Sequence, residues 1–304
     1  MKAFLKVFAV LATLLLFTSI LSFSSPTRSG FYIPDSLRSV TLRYKTVDNL
    51  IVLPVRINDS IVVDLILDTG CRNLVLFGKQ FQKYFDFMPG HQVQFSGLGA
   101  GGPVFGKLAL NNHVSIDAVA GHDIPVVVVP NRNLFGSYVN AHGVIGYDVF
   151  AKFEIEINPK LKQITFRPAL IAELSDEFTA VPIRIVDSRP LIDCEVVFTK
   201  GQTHLCDLMI DTGSILGLLL KTTDIGSFSY KGYYETLGRG FNGPIEGFRL
   251  VTERLVLKDL VIKYVATGVI ESSWHNHASV GMEILKNYTL VLNYCKGYAG
   301  FKRA

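Results

Sequence analysis

The chain has 304 residues, enough for one large domain or for two of ordinary size with a core each. Hydrophobic residues make up 49% and charged residues 18%, which excludes a disordered chain. The formal charge is only +4, and no Lys or Arg run interleaves with aromatics, so no nucleic-acid partner is expected.

Lys2 and Lys6 precede an apolar run from Val7 to Phe23, followed by Ser24, Ser25 and Pro26. A positive start ahead of a hydrophobic stretch is the pattern of an export signal. At about 17 residues the run is slightly long for a cleaved signal and near the lower limit of a spanning helix. Residues 1–25 are therefore expected to be a signal peptide or an N-terminal membrane anchor, with cleavage favoured. Either way the body of the protein is exported, to the periplasm, the extracellular space or the outer face of a membrane.

From about Val40 the sequence reads as short strands: Val40 to Tyr44, Ile51 to Ile57, Ile61 to Leu67 and Leu74 to Phe77. Asn58-Asp59-Ser60 reads as a tight hairpin that delivers Asp68 at the end of the third of these. The run from Asp64 to Gly70, Asp-Leu-Ile-Leu-Asp-Thr-Gly, recurs from Asp207 to Gly213 as Asp-Leu-Met-Ile-Asp-Thr-Gly. An Asp closing a hydrophobic strand is costly to bury unless it is paired or hydrogen-bonded, so two in matching flanks call for a common explanation.

The first copy is followed by a glycine cluster, Gly97 to Gly106, then by strands from Val114 to Val119 and Val126 to Val129. His142 to Phe150 comes next, with a short helix expected over Tyr147 to Lys152. The hairpin strands Phe153 to Ile157 and Ile164 to Phe166 close the half. A more polar linker, Arg167 to Ala180, leads into the same order again. Leu191 to Phe198 and His204 to Ile210 run into Asp211. A second glycine cluster spans Gly238 to Gly247, Ala278 to Leu285 repeats the segment after Gly143, and Leu290 to Asn293 with Tyr298 to Phe301 closes the chain. Three landmarks in one order describe an internal duplication, with lobes at residues 36–170 and 181–304.

Both clusters match G-x-G-x-x-G, at Gly97, Gly99 and Gly102 and at Gly238, Gly240 and Gly243. A dinucleotide site needs a helix to open there, whereas Pro103 and Pro244 follow at once. Mobile hairpin tips that approach a ligand closely fit better. Trp274-His275-Asn276-His277 and His142 read as loop residues rather than ligands, since a metal site needs three or four donors. No metal and no other cofactor is expected. No nucleophile motif supports a Ser-His-Asp triad. Cys194 and Cys206 lie equidistant from a turn at Thr199 to Gln202, so either a disulfide or two reduced thiols fit. Cys71 and Cys295 have no evident partner.

Packed about a pseudo-twofold axis, two such Asp loops would bring Asp68 and Asp211 within hydrogen-bonding distance. Two carboxylates that close share a proton, so one serves as base and the other as acid. Each Thr, Thr69 and Thr212, could brace the opposite loop, and Gly70 and Gly213 leave room for the loops to meet.

The doubled Asp-Thr-Gly, the glycine-bearing flap after each, and the later segments Val144-Ile145-Gly146 and Ser279-Val280-Gly281 resemble the aspartic proteases of the pepsin/retropepsin fold, in particular bacterial exported retropepsin-like proteins with two lobes. The resemblance runs from about Val40 to Phe301. It implies an all-β, bilobal fold with a cleft between pseudo-twofold-related lobes, in a monomer that acts on polypeptide substrates without a cofactor. It also implies catalytic roles for Asp68 and Asp211, supported by Thr69, Gly70, Cys71, Thr212, Gly213 and Ser214. The function expected is an aspartic endopeptidase; the alternative is a catalytically silent peptide- or ligand-binding protein that kept the fold.

Cys71 departs from the Ser, Thr or Ala usual after the glycine, where the second half has Ser214. A thiol is the weaker donor, so Asp211 is expected to be the better-stabilised anion and Asp68 the usual proton carrier. The flap tyrosine of pepsin-like enzymes has no clear counterpart: Phe95 and Phe105 flank the first cluster, and Tyr233 and Tyr234 precede the second.

Overall fold

Leu65, Ile66 and Leu67 are buried in succession, so the strand Ile61–Leu67 needs cover on both faces and neighbours on both edges. It finds Leu50–Ile57 antiparallel on one side and Gly143–Ile145 parallel on the other. The computed structural model describes residues 28–130, 141–224, 232–272 and 277–304. The N-terminal apolar run, Trp274, His275 and Asn276 lie outside the described residues. No described helix is long and apolar enough to cross a membrane.

The fold is all-β, with three sheets among the described residues. The first half builds a nine-stranded sheet and the second an eight-stranded sheet of matching plan. In the first, Gly143–Ile145 lies between Ile61–Leu67, parallel to it, and Leu74–Phe77, antiparallel to it. In the second, Ala278–Val280 lies in the same way between Thr203–Ile210 and Leu218–Thr222. Each of these short strands runs straight into a four-residue helix, Tyr147–Phe150 or Met282–Leu285. The duplicated sequence thus folds into duplicated topology.

The third sheet joins the halves. Each contributes three strands, and Phe153–Asn158 pairs with Tyr288–Asn293 at the centre. Tyr288–Asn293 is buried throughout, and one hydrophobic core runs through both halves. Across the central pair, Glu154 sits opposite Asn293. Glu154 is almost fully buried and accepts hydrogen bonds from Tyr298 and Arg167. The Asn293 amide donates to the carbonyl of Ala169 at 2.9 Å, and its oxygen accepts from Lys296 N at 3.0 Å.

Two sequence expectations need adjustment, and one left open is resolved. Val114 to Val119 is not one strand: Asp117 takes a left-handed φ of 52° and turns the chain, so that Val104–Ile116 and Val119–Val129 form a hairpin. Aspartate tolerates that region because its short polar side chain can bond locally. Gly30–Tyr32, ahead of residue 36, joins the edge of the first sheet, so the first half begins earlier than expected. Cys194 and Cys206 do face each other in register, but their sulfurs are 3.0 Å apart and both thiols are free; a disulfide bond is about 2.05 Å long.

Replacing Asn293 with Ala would orphan the Ala169 carbonyl and loosen the turn that follows the strand, where Lys296 N loses its acceptor. Stability should fall by about 2 kcal/mol or more, read from urea unfolding.

Candidate active site

Each Asp-Thr-Gly loop is pinned by its own half in the same way. The N–H of Asp68 donates to Ile145 O and that of Asp211 to Val280 O, both at 2.9 Å. Behind each glycine, Tyr147 N donates to Cys71 O at 3.0 Å and Met282 N to Ser214 O at 2.8 Å. The loops are therefore held by the short strands and helices that the later Gly146 and Gly281 segments supply.

The loops then hold each other. Thr69 Oγ1 donates to Ile210 O at 2.6 Å, and Thr212 Oγ1 donates to Leu67 O at 2.7 Å. In return Thr212 N donates to Thr69 Oγ1 at 2.9 Å, and Thr69 N to Thr212 Oγ1 at 3.1 Å. Both Thr residues are fully buried. Gly70 and Gly213 let the carboxylates lie against the opposite loop: a Cβ on Gly213 would collide with the Asp68 carboxyl, and one on Gly70 would come within 3.3 Å of Asp211 Oδ1. Each carboxylate also accepts from its own loop, Asp68 Oδ1 from Gly70 N at 2.7 Å and Asp211 Oδ1 from Gly213 N at 3.1 Å.

This pair lines a cleft of about 1020 Å³, at the upper end of the roughly 300–1,000 Å³ usual for small-molecule sites. Gly97 and Leu98 of the first cluster and Gly238 and Gly240 of the second also line it, as do Val93, Phe95 and Phe241. Both clusters cap hairpins, Phe87–Phe95 with Val104–Ile116 and Tyr233–Gly240 with Gly243–Leu257. The two tips touch. Asn242 Oδ1 accepts from Gly99 N at 2.7 Å, while its amide group faces the carbonyls of Gly99 at 2.8 Å, Gly101 at 2.7 Å and Gly97 at 3.3 Å. Ala100 N donates to Pro244 O at 3.0 Å. Side chains at Gly99 or Gly101 would run into the backbone of Gly243 or Asn242. Gly102 has open space around it, and Gly243 carries a φ of 126° at the other tip.

Phe95 stacks on Phe241 at 6.1 Å, whereas Phe105, Tyr233 and Tyr234 are exposed. His142 accepts from Asp64 N through Nδ1, and His277 lies 3.7 Å from Asp207. No group of three metal-ligating side chains occurs among the described residues.

Burial first, then the neighbouring Asp211 charge, pushes Asp68 up to about 7. Asp211 is also raised by burial, but Gly213 N–H and the cations Lys221 and Arg189 oppose the rise. Gly70 N–H and Arg189 oppose the rise at Asp68 as well, so Lys221 is what separates the two carboxyls, and it favours the shared proton on Asp68. The expected cause is corrected: the Cys71 thiol donates to Asn73 O at 3.3 Å, and Ser214 Oγ accepts from Leu216 N at 3.2 Å. The asymmetry comes instead from Lys221, which acts on Asp211. Sequence reading missed Lys221, Arg189 and Asn242. A single Lys or Arg on a strand carries no signal until the sheet turns it into the cleft, and Asn242 was visible only as a turn residue between glycines.

A family model described as aspartyl protease matches residues 53–149, the stretch from the strand Leu50–Ile57 to the helix after Gly146. No curated protein matches the chain.

A carboxyl raised by burial binds its proton more tightly folded than unfolded, so its contribution to stability is greatest at low pH and is lost as pH rises through about 7. Asp68→Asn should therefore raise the Tm by several degrees near pH 7.5 and leave it almost unchanged near pH 3.5, followed by scanning calorimetry. Asn242→Ala should speed amide hydrogen exchange at Gly99 and Ala100 by about tenfold while leaving Thr69 and Thr212 protected, read by mass spectrometry.

Proposed function

We propose that the protein is an aspartic endopeptidase that hydrolyses polypeptides with a water activated between Asp68 and Asp211. The observation that carries this reading is the reciprocal Thr69–Thr212 clasp, which holds two carboxyl groups, Asp68 buried and Asp211 half-buried, over each other's glycine at the floor of a cleft. The aspartyl protease match over residues 53–149 supports it at the level of the reaction class.

In this mechanism Asp68 starts protonated and Asp211 ionised. Asp211 takes a proton from the water as its oxygen attacks the peptide carbonyl carbon, and Asp68 gives its proton to the carbonyl oxygen. A neutral tetrahedral diol results. The proton on Asp211 then passes to the leaving nitrogen as the C–N bond breaks, and Asp68 recovers a proton from a diol hydroxyl. Both carboxyls end as they began, with no covalent intermediate.

An extended peptide would lie along the cleft beneath the clasped tips, so the tips must part to admit it and can close again over it. One chain supplies both halves of the site, which fits a monomer. Lys2, Lys6 and the apolar run after them support export of the enzyme, by a cleaved signal or on a retained anchor.

The test is cleavage of an unfolded protein between about pH 3 and pH 9. Activity should fall on the alkaline side as pH rises through about 7, where Asp68 loses the proton it must donate. Asp68→Asn and Asp211→Asn should each lower kcat by at least about 10³-fold, and a peptide bearing a hydroxyl in place of the scissile carbonyl should inhibit the wild type. Activity that persists in either variant would sink the mechanism.

A further inference from the structure

The two walls of the cleft differ in charge although their backbones match. Leu50 follows a turn with left-handed residues at Asp48 (φ 49°) and Asn49 (φ 68°). Arg189 follows the equivalent turn, Asp187 (φ 48°) and Ser188 (φ 70°). Both begin the first long strand of their half, and both line the cleft. Likewise Val75 pairs with Val144 and Leu219 with Ser279, so two residues further on Phe77 and Lys221 are equivalent. Where the first half has Leu50 and Phe77, the second has Arg189 and Lys221.

Among the described residues these cations have no side-chain partner. Arg184, Arg249, Arg167 and Lys302, on other faces, each bridge a carboxylate. Arg189 and Lys221 make no side-chain hydrogen bond or ion pair with any described residue, although both are half-buried. Their fields reach Asp211, yet a dyad sharing one proton carries a single negative charge against their two positive ones. Burial, and to a lesser degree the Arg189 charge, draws Lys221 down to about 8, and the Asp211 charge offsets only part of that cost. Arg239, on the flap of the same half, adds a third cation to this wall, and Asp48 is the lining carboxylate outside the dyad. A charge without a partner in a substrate cleft is matched when substrate brings one.

We propose that the second-half wall is an anion subsite: the substrates carry an Asp or Glu side chain beside the scissile bond, seated against Arg189 and Lys221. This rests on the proteolytic reading and narrows its substrate class to acidic polypeptides. On the other side Leu50, Val93 and Phe95 are apolar and the lining charges Arg72 and Asp48 cancel in sum, so the excess of positive charge, and with it the acidic residue, lies on one side of the bond. The carboxylate takes a charge-assisted hydrogen bond from the guanidinium and from the ammonium.

The test is cleavage of a peptide mixture from a denatured proteome at about pH 5.5, where free carboxyls are ionised, with products read by mass spectrometry. Acidic residues should exceed their amides roughly tenfold at one position beside the cut. That ratio should fall towards one in Arg189→Gln/Lys221→Gln and be kept in Lys221→Arg. Cleavage without acidic enrichment, or enrichment that survives the double substitution, overturns the proposal. Cations that merely tuned the dyad would alter acidic and neutral cleavage alike and leave the ratio near one in the wild type. If no peptide is cut, proteolysis itself fails, and the subsite is read by fluorescence anisotropy of a labelled Glu-rich peptide against its Gln analogue. Tighter Glu binding that the double substitution removes upholds the anion subsite; equal binding overturns it.

Discussion

The four hydrogen bonds exchanged by Thr69 and Thr212 are the constraint on which the rest of the molecule depends. Two carboxyl groups do not come together by themselves: burial penalises each charge, and each charge penalises the other. Raised pKa values at Asp68 and Asp211 are the trace of that penalty. Something must hold the loops while the carboxyls repel. Each hydroxyl donates to one backbone carbonyl of the opposite loop and accepts from one backbone N–H, which uses buried polar groups that would otherwise lack partners. Valine, the isostere without the hydroxyl, could make none of these bonds.

The clasp needs the two halves to arrive in register, and the shared six-stranded sheet provides that. Its central pair sets Ile155 against Leu292 and Ile157 against Leu290, apolar residues from opposite halves buried in one core. A slip by one residue would turn those side chains out of the core. The Glu154–Asn293–Tyr298 cluster sharpens the register further, because a buried carboxylate left without its donors is costly. Stability sited in this sheet is offset in part by the carboxyl pair, which is where function extracts its cost.

Much of this was legible in the sequence because the duplication made each signal appear twice. One Asp-Thr-Gly or one glycine cluster carries little information; two in the same order give the strands, the loops and the hairpin tips. The reciprocal Thr contacts could be anticipated, since hydroxyl residues beside glycines at a symmetry axis have few other partners. What escaped were features without a repeat. Arg189 and Lys221 stand where the first half has Leu50 and Phe77, and their roles depend on a pairing register that no local pattern announces. Asn242 reaches residues more than 140 positions away. Cys71 misled for a different reason. It was judged by donor strength, but its thiol points to Asn73, and the charges around the dyad are set by residues brought in from the strands.

The joined tips and the charged wall also act on one another. With Asn242 bonded to the carbonyls of Gly97, Gly99 and Gly101, the hairpins roof the cleft and limit the water that reaches Asp68. Less water means a lower local dielectric, which lifts the Asp68 carboxyl and at the same time strengthens the pull of Lys221 on Asp211. Closure therefore drives the two carboxyls apart in proton affinity, favouring one protonated and one ionised partner. Parting of the tips relaxes that difference by letting solvent screen both effects. The duplicated scaffold alone would give two equivalent acids; under the proposed mechanism the unequal walls would make one the donor and the other the base, an inequality largest when the cleft is shut.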